Sequence, residues 1–523
     1  MRRRTAGLLL HPTSLPGPFG IGDLGPRALD FLDWAERAGQ QLWQVLPLGP
    51  THGSGAPYGC LSAFAGNPLL LSPELLHRQG LLGTADLRSL PDFPSDRVDF
   101  QRVGPWKQRL LRRSWEIFRE RGTPGQRQRL EAFRQDPEQR SWLDDWTLFA
   151  ALRDAHQGAG WWTWDTELRA RQPEALAEAR RRLADELEFH AYLQHQFFLQ
   201  WSLLREHAHS RGIRLLGDLP IYVALDSAEV WAQPHLFDLD AEGMPRAVAG
   251  VPPDYFSPTG QLWGNPLYRW DRMAEDGFSW WIRRLRANLW LTDVVRLDHF
   301  RGFAAYWSVP AGETTAIRGE WIPGPGAELF EAFLRELGEL PLVAEDLGVI
   351  TPDVVALRDG FGLPGMHVLQ FGLTDPESIH APHNHVRRAV VYTGTHDNDT
   401  TVGWYESLDR RERREVRRYT GSTSKTMHWA LIRLAYTSVA ETAVVPVQDV
   451  LGLGAEARMN TPGVADGNWG WRYEESSYEH ATLSLELAAR LRELAAVTGR
   501  GPRRRQQTAA ETQSSELAAG AIG

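Results

Sequence analysis

The sequence predicts an α/β fold, a (β/α)8 TIM barrel carrying large, mainly helical insertions after its early strands. Three observations predict it: eight short apolar runs ending in polar residues, amphipathic stretches between several of them, and two gaps too long for a single crossover helix. The runs lie at 7–11, 42–48, 213–218, 294–298, 342–345, 367–371, 389–393 and 443–447. Each has the length and near-continuous apolar character of a strand buried on both faces. Stretches at 27–38, 328–337 and 425–440 repeat apolar residues at helical spacing, as alternating β and α units require. The first long gap, about 58–205, holds several helical patterns, the last from about Glu174 to His209. The second, about 220–290, is rich in Pro, Gly and aromatic residues. Barrel chemistry sits at the C-terminal ends of strands, so insertions there wall the active face. Residues 1–498 therefore read as one barrel with its insertions. Residues 499–523, arginines followed by Gln, Ala, Glu, Ser and Gly, read as a disordered tail.

Composition narrows the partners. A net charge of −9 over 523 residues and a pI near 6.0 offer no general attraction to nucleic acid or anionic membranes. The basic start, residues 2–4, is followed by an apolar stretch that ends at His11-Pro12, too short for a signal peptide. No window has the apolar length of a membrane span. A single cysteine, Cys60, excludes an internal disulfide and favours a reducing compartment, the cytoplasm. The expected oligomeric state is a monomer or weak homo-oligomer. Tryptophan is the outlier, with 22 copies against 12 tyrosines, many beside Gly or Pro in loops where a ring can face a ligand. Trp263, Trp469 and Trp471 are the best placed. Flat apolar faces with polar edges suit the CH faces and hydroxyl rims of sugars.

The fourth run continues as Val-Val-Arg-Leu-Asp-His-Phe-Arg-Gly at 294–302. Arg296 and Asp298, two apart, share a face, and the arginine is expected to hold Asp298 ionised. The fifth run leads into Glu345 and Asp346, and the seventh into His396, Asp397, Asn398 and Asp399. Neighbouring strands lie about 4.8 Å apart, which would set Asp298 and Glu345 about 5 Å apart, the separation of a retaining glycosidase pair. Asp298 is then the nucleophile. Glu345, after Leu-Val-Ala and near the charges of Asp298 and Asp346, is the general acid and later the base. Asp397 can accept hydrogen bonds from sugar hydroxyls that tighten in the transition state. Two competing readings stay open here: a structural ion pair at a strand end, and a divalent metal held by these carboxylates with Asp218. The cluster His380, His383 and His385 lacks partners at ligand spacing and reads as a surface loop.

Several segments together resemble glycoside hydrolase family 77, the 4-α-glucanotransferases known as amylomaltases or disproportionating enzymes. They are Leu-His-Pro-Thr-Ser-Leu-Pro at 10–16, Ala-Pro-Tyr-Gly-Cys-Leu-Ser-Ala-Phe-Ala-Gly-Asn-Pro at 56–68, Gly-Asp-Leu-Pro-Ile-Tyr-Val-Ala at 217–224, Pro-Pro-Asp-Tyr-Phe-Ser at 252–257, Gln-Leu-Trp-Gly-Asn-Pro-Leu-Tyr at 261–268 and Arg-Met-Asn-Thr-Pro-Gly at 458–463. The resemblance implies a barrel without a separate C-terminal β-domain, needing no metal or cofactor, that acts on α-1,4-glucans and maltooligosaccharides by a retaining double displacement. It places the nucleophile at Asp298, the acid/base at Glu345 and the transition-state carboxylate at Asp397. It implies sugar contacts at Tyr58, Asp218, Asp254, Tyr255, Trp263, Asn265, Arg296, His396 and Asn460. Phe256, beside Tyr255, and His299 and Asp346, beside the nucleophile and the acid, are counted with them. Departures from the family pattern at Ala56, Cys60 and Pro258 bear on acceptor preference and product size. An α-amylase-like hydrolase on the same barrel and a non-catalytic glucan-binding protein are the alternatives.

Overall fold

Every predicted run overlaps a strand, although the sixth, 367–371, does so only at its first two residues. In the computed structural model, which describes residues 4–253, 257–474 and 483–502, and counting all strands in chain order, these are β1 (Thr5–Leu9), β2 (Leu42–Gln44), β3 (Arg214–Leu219), β6 (Val294–Leu297), β9 (Leu342–Ala344), β10 (Gly365–Val368), β11 (Ala389–Tyr392) and β12 (Thr442–Pro446). They pair in parallel in the order β10-β11-β12-β1-β2-β3-β6-β9. Between the two ends of that order, the Ala344 N–H donates to Pro364 O at 2.9 Å, drawing the sheet into a barrel.

Alternation along each strand separates two cores. Leu9, Leu42, Leu216, Val343, Met366, Val390, Tyr392 and Val444 fill the barrel interior. Their neighbours Leu8, Trp43, Leu215, Val295, Ala344, Val391 and Val445 point outward into the helical layer. That parity places the site: Asp218, Arg296 and Glu345 continue the inward rows as the strands emerge. Gly365 is required where β10 begins, because a Cβ there would lie 2.3 Å from Asp346 Oδ2.

The first insertion is helical as predicted, with long helices at Phe100–Arg121, Pro137–Ala155 and Ala184–Ser210. Its final helical stretch is broken: one helix ends at Arg182 and the next begins at Ala184, with Leu183 at φ −104°, ψ 20° between them. The second insertion differs from the mainly helical expectation. β4 (Ala247–Val251) and β5 (Gln261–Pro266) join β7 (Ala305–Pro310) and β8 (Glu320–Pro323) in a four-stranded antiparallel sheet ordered β5-β4-β7-β8. Half of this sheet comes from the chain after β6, a segment with no predicted strand. Strands such as Gln-Leu-Trp-Gly-Asn-Pro lack β-branched runs, and their stability comes from partners distant in sequence.

The C-terminal boundary also shifts. Arg500, assigned to the tail from sequence, is fully buried. Residues 503–523 lie outside the described residues. No helix among the described residues is long and apolar enough to cross a membrane.

Candidate active site

Strand register assembles the centre of the site. Asp218 on β3 is the register partner of Arg296 on β6, and Arg296 is that of Val343 on β9. Asp298 and Glu345 follow their strands by one residue, on neighbouring strand ends. Arg296 is 3% exposed, and its Nη1 donates to Asp218 Oδ1 at 2.7 Å, to Asp218 Oδ2 at 2.8 Å and to Asp298 Oδ1 at 2.8 Å. Tyr58 OH donates to Asp218 Oδ2 at 2.8 Å from the first insertion. One guanidinium therefore serves two carboxylates.

The turn after Asp298 orients the second carboxyl. His299 adopts a left-handed backbone, φ 52°, ψ 51°, uncommon for a residue with a side chain. There its N–H donates to Glu345 Oε2 at 2.7 Å, while the Leu347 N–H donates to Glu345 Oε1 at 2.9 Å. The Trp263 indole meets the His299 ring edge to face, with centroids 4.7 Å apart.

Burial dominates the electrostatics. It pushes Asp298 up to about 8, with help from the charges of Asp218, Glu345 and Asp397 and against the pull of Arg296. Burial also raises Glu345, opposed by Arg296 and the two backbone donors. Arg296, expected to hold Asp298 ionised, does lower it, but its charge is divided with Asp218 and burial acts against it. Burial and their mutual charge thus raise the proton affinity of both neighbouring acids.

The opposite wall carries Asp397. Its Oδ1 accepts from Asn460 Nδ2 at 2.6 Å and lies 3.3 Å from His396 Nε2. His396 is buried, and burial lowers its proton affinity. Its ring stacks on Tyr58, centroids 5.1 Å apart and 16° between planes. Trp469 packs against both rings, at 5.7 Å from Tyr58 and 5.9 Å from His396. Trp469 is 8% exposed and Trp471 packs on the interior core, so these tryptophans support the wall. They do not offer it a free sugar face.

The remaining predicted contacts divide. Asn265 donates from Nδ2 to Val223 O at 2.9 Å, pinning the end of β5 over the β3 loop. Trp263 remains exposed. Asp254, Tyr255 and Phe256 lie outside the described residues. Asp346 is a correction: it is buried, its Oδ1 accepts from Met366 N at 2.7 Å and its Oδ2 from Arg358 Nη1 at 2.5 Å. One oxygen anchors β10 and the other the helix Pro352–Gly360, and at 4% exposure the carboxylate is turned away from the barrel mouth. His385 is likewise no surface residue, since its ring stacks on His367 with centroids 4.4 Å apart. Arg458 went unassigned in the sequence. It lies in a motif already singled out, but its target, a backbone carbonyl of the residue 61 positions before it, leaves no trace in spacing.

The metal reading does not fit the central carboxylates, because the Arg296 guanidinium occupies the position between them that a cation would need. Among the described residues, the group with metal-ligand spacing is Asp154, Glu186 and His190, in the helical insertion. There Asp154 pairs with His190 and Glu186 with Arg112. Cys60 donates to Pro57 O at 2.8 Å, and burial pushes its thiol up to about 12, which disfavours the thiolate.

Comparison with known proteins bears on the family of the chain. Residues 10–477 match the glycoside hydrolase family 77 model, described as 4-alpha-glucanotransferase. The chain is 51% identical to the 4-alpha-glucanotransferase of Thermus thermophilus over 506 residues, 95% of this chain and 99% of that one. It is 46% identical to the chloroplastic/amyloplastic 4-alpha-glucanotransferase of Solanum tuberosum, over 95% of this chain and 87% of the relative. The amylomaltase of Streptococcus agalactiae, solved with acarbose, superposes with a TM-score of 0.91 at 36% identity, covering 96% of this chain and all of that one. On its fold, its carboxyl set and these likenesses, the chain belongs to glycoside hydrolase family 77, the 4-α-glucanotransferases.

Proposed function

We propose that this enzyme, a glycosyltransferase acting on α-1,4-glucans, transfers glucan segments to the 4-OH of glucose or a maltooligosaccharide through a covalent glycosyl-Asp298. The observation that carries the reading is a pair of neighbouring strand-end carboxyls, Asp298 and Glu345, both raised by burial beside one shared cation. Such a pair carries one ionised and one protonated member, which is what double displacement needs.

In the first step Asp298 attacks the anomeric carbon as a carboxylate while Glu345 gives its proton to the departing glycosidic oxygen. Asp397 accepts hydrogen bonds from hydroxyls of the flattening ring. In the second step Glu345 takes the proton of the acceptor hydroxyl, that oxygen bonds to the anomeric carbon, and Asp298 leaves. Sugar must beat water: against about 55 M water, a millimolar acceptor needs an advantage above ~10⁴, or about 5.5 kcal/mol. Positioning supplies it, since effective molarities reach ~10⁵ to 10⁸ M. Tyr58, Tyr255, Phe256 and Trp263 are assigned to seating the acceptor and excluding water. A cytoplasmic setting accords with the single thiol.

The test is purified protein incubated with maltotriose and followed by chromatography. A ladder of longer glucans plus glucose supports transfer, shorter products alone mean hydrolysis, and an unchanged substrate leaves only binding. Asp298→Ala should abolish both reactions without unfolding the chain; residual transfer above ~1% of wild type rejects Asp298 as the nucleophile.

A further inference from the structure

The segment 458–460 is tied to the 396–397 turn by three hydrogen bonds and braced by a fourth within itself. Arg458 Nη2 donates to Asp397 O at 2.6 Å and its Nε to Asn460 O at 2.8 Å. The Asn460 N–H donates to His396 O at 3.1 Å, and Asn460 Nδ2 donates to Asp397 Oδ1 at 2.6 Å. The guanidinium therefore bridges the main chain of Asp397 to the main chain of the residue whose side chain grips Asp397. Behind it, the segment is backed by Trp469 N–H on Met459 O at 2.7 Å and by Gln448 Nε2 on Ala457 O at 3.3 Å. The Asp397 side chain is 43% exposed, and among the described residues none donates to its Oδ2. A partly exposed carboxylate on a turn keeps its aim only if its backbone and one oxygen are held, and Arg458 holds both ends of that grip.

We propose that Arg458 is a positioning residue for glucan transfer. It fixes Asp397 and Asn460 against one another so that Asp397 Oδ2 is aimed before the sugar ring distorts, and it acts on turnover more than on substrate affinity. The inference rests on the reading of Asp397 as the carboxylate that stabilises the transition state. Arg458 need not touch the sugar. A planar fork with donors in fixed directions can span two carbonyls in a way that a lysine ammonium reproduces only in part.

Arg458→Ala, Arg458→Lys, Asn460→Ala and Asp397→Asn are compared in maltotriose disproportionation, with thermal melts and active fraction for each. In Arg458→Ala, kcat should fall about ten- to a hundredfold, the range for a misplaced catalytic group. KM should change by less than about threefold, and Arg458→Lys should lie between Ala and wild type. Added guanidinium ion should restore part of the Arg458→Ala rate and none in Asn460→Ala. Doubling Arg458→Ala with Asn460→Ala should cost less than the product of the single losses, since both act on one carboxylate. If kcat per folded molecule stays within about twofold of wild type, or kcat falls only in step with the folded fraction, Arg458 does not position Asp397. Should Arg458→Ala fail to fold, Arg458→Lys decides by the same split between kcat and KM. A fully active Asp397→Asn overturns the reading of the site itself. An inactive Asp397→Asn beside a fully active Arg458→Ala overturns the positioning role alone.

Discussion

The His299 backbone N–H points at Glu345 Oε2 from 2.7 Å because His299 sits in the left-handed region. The residue after the nucleophile thus orients the acid through its main chain, and the opposite oxygen takes the Leu347 N–H. Both oxygens of Glu345 face donors.

Glu345→Gln should for that reason cost stability as well as activity. The glutamine amide has one acceptor oxygen, so its NH2 must confront one of the two backbone N–H groups. Beyond losing transfer, the variant should unfold about 1–3 kcal/mol more easily than wild type in denaturant titration. Equal stability would show that the two donors are free to turn away.

Asp218 should set the alkaline edge of activity. The charge of Asp218 raises Asp298, whose affinity is pushed up to about 8 chiefly by burial. As pH rises, the pair loses the proton that Glu345 must give, which burial holds above the usual carboxyl range, the leaving oxygen has no acid, and transfer falls. Asp218→Asn removes the raising charge and leaves Arg296 to Asp298 alone. The alkaline limb of kcat/KM should therefore move to lower pH, whatever the loss in absolute rate. A limb that stays put or moves upward contradicts the shared-cation account.

Tyr58 should govern partition between sugar and water. It covers His396 and donates to Asp218, so Tyr58→Ala opens the wall to solvent. The hydrolysis-to-transfer ratio on maltotriose should rise, read as glucose and maltose formed without matching longer glucans. Phe256→Ala is expected to act the same way. An unchanged ratio in both variants removes these rings from the acceptor argument.

Arg500 should be a stability residue without a catalytic part. Its Nε donates to Tyr436 O at 2.8 Å, Nη1 to Thr5 O and Glu441 O at 3.0 Å each, and Nη2 to Ser438 O at 3.0 Å and Ala440 O at 2.7 Å. These carbonyls flank the starts of β1 and β12, so the C-terminal segment clasps the barrel where first and last strands meet. Arg500→Leu leaves the carbonyls buried without donors and should cost about 3 kcal/mol or more. Arg500→Lys, with fewer donors, should fall between, and kcat per folded molecule should hold in both. A melting temperature within about 1 °C of wild type would dismiss the clasp.

The barrel strands were legible because each carries its own signal, a short apolar run with a polar end, and burial on both faces writes that signal locally. Asp298 and Glu345 stood out for the same reason, as the polar residues that close two of those runs, and Asp397 through the polar cluster that follows a third. The antiparallel sheet of the second insertion was not, since β4, the short small-residue run Ala-Val-Ala-Gly-Val, pairs with β7 across more than fifty residues. Asp346 illustrates the limit within the site. It neighbours Glu345 in sequence, yet strand alternation turns it outward to Arg358 and Met366.

The sequence by itself determined the number of barrel strands, the family and which carboxyls end which of those strands, because residue type and period are local properties. Only the tertiary structure decided how charge is divided among them. Asp218, Arg296 and Asp298 meet through register between strands far apart in the chain, and a buried pair takes its proton affinity from desolvation and from every charge around it. The pairing of Arg296 with Asp298 could be read from two positions two apart in one strand; its being shared with Asp218, and opposed by the burial of Asp298, could not.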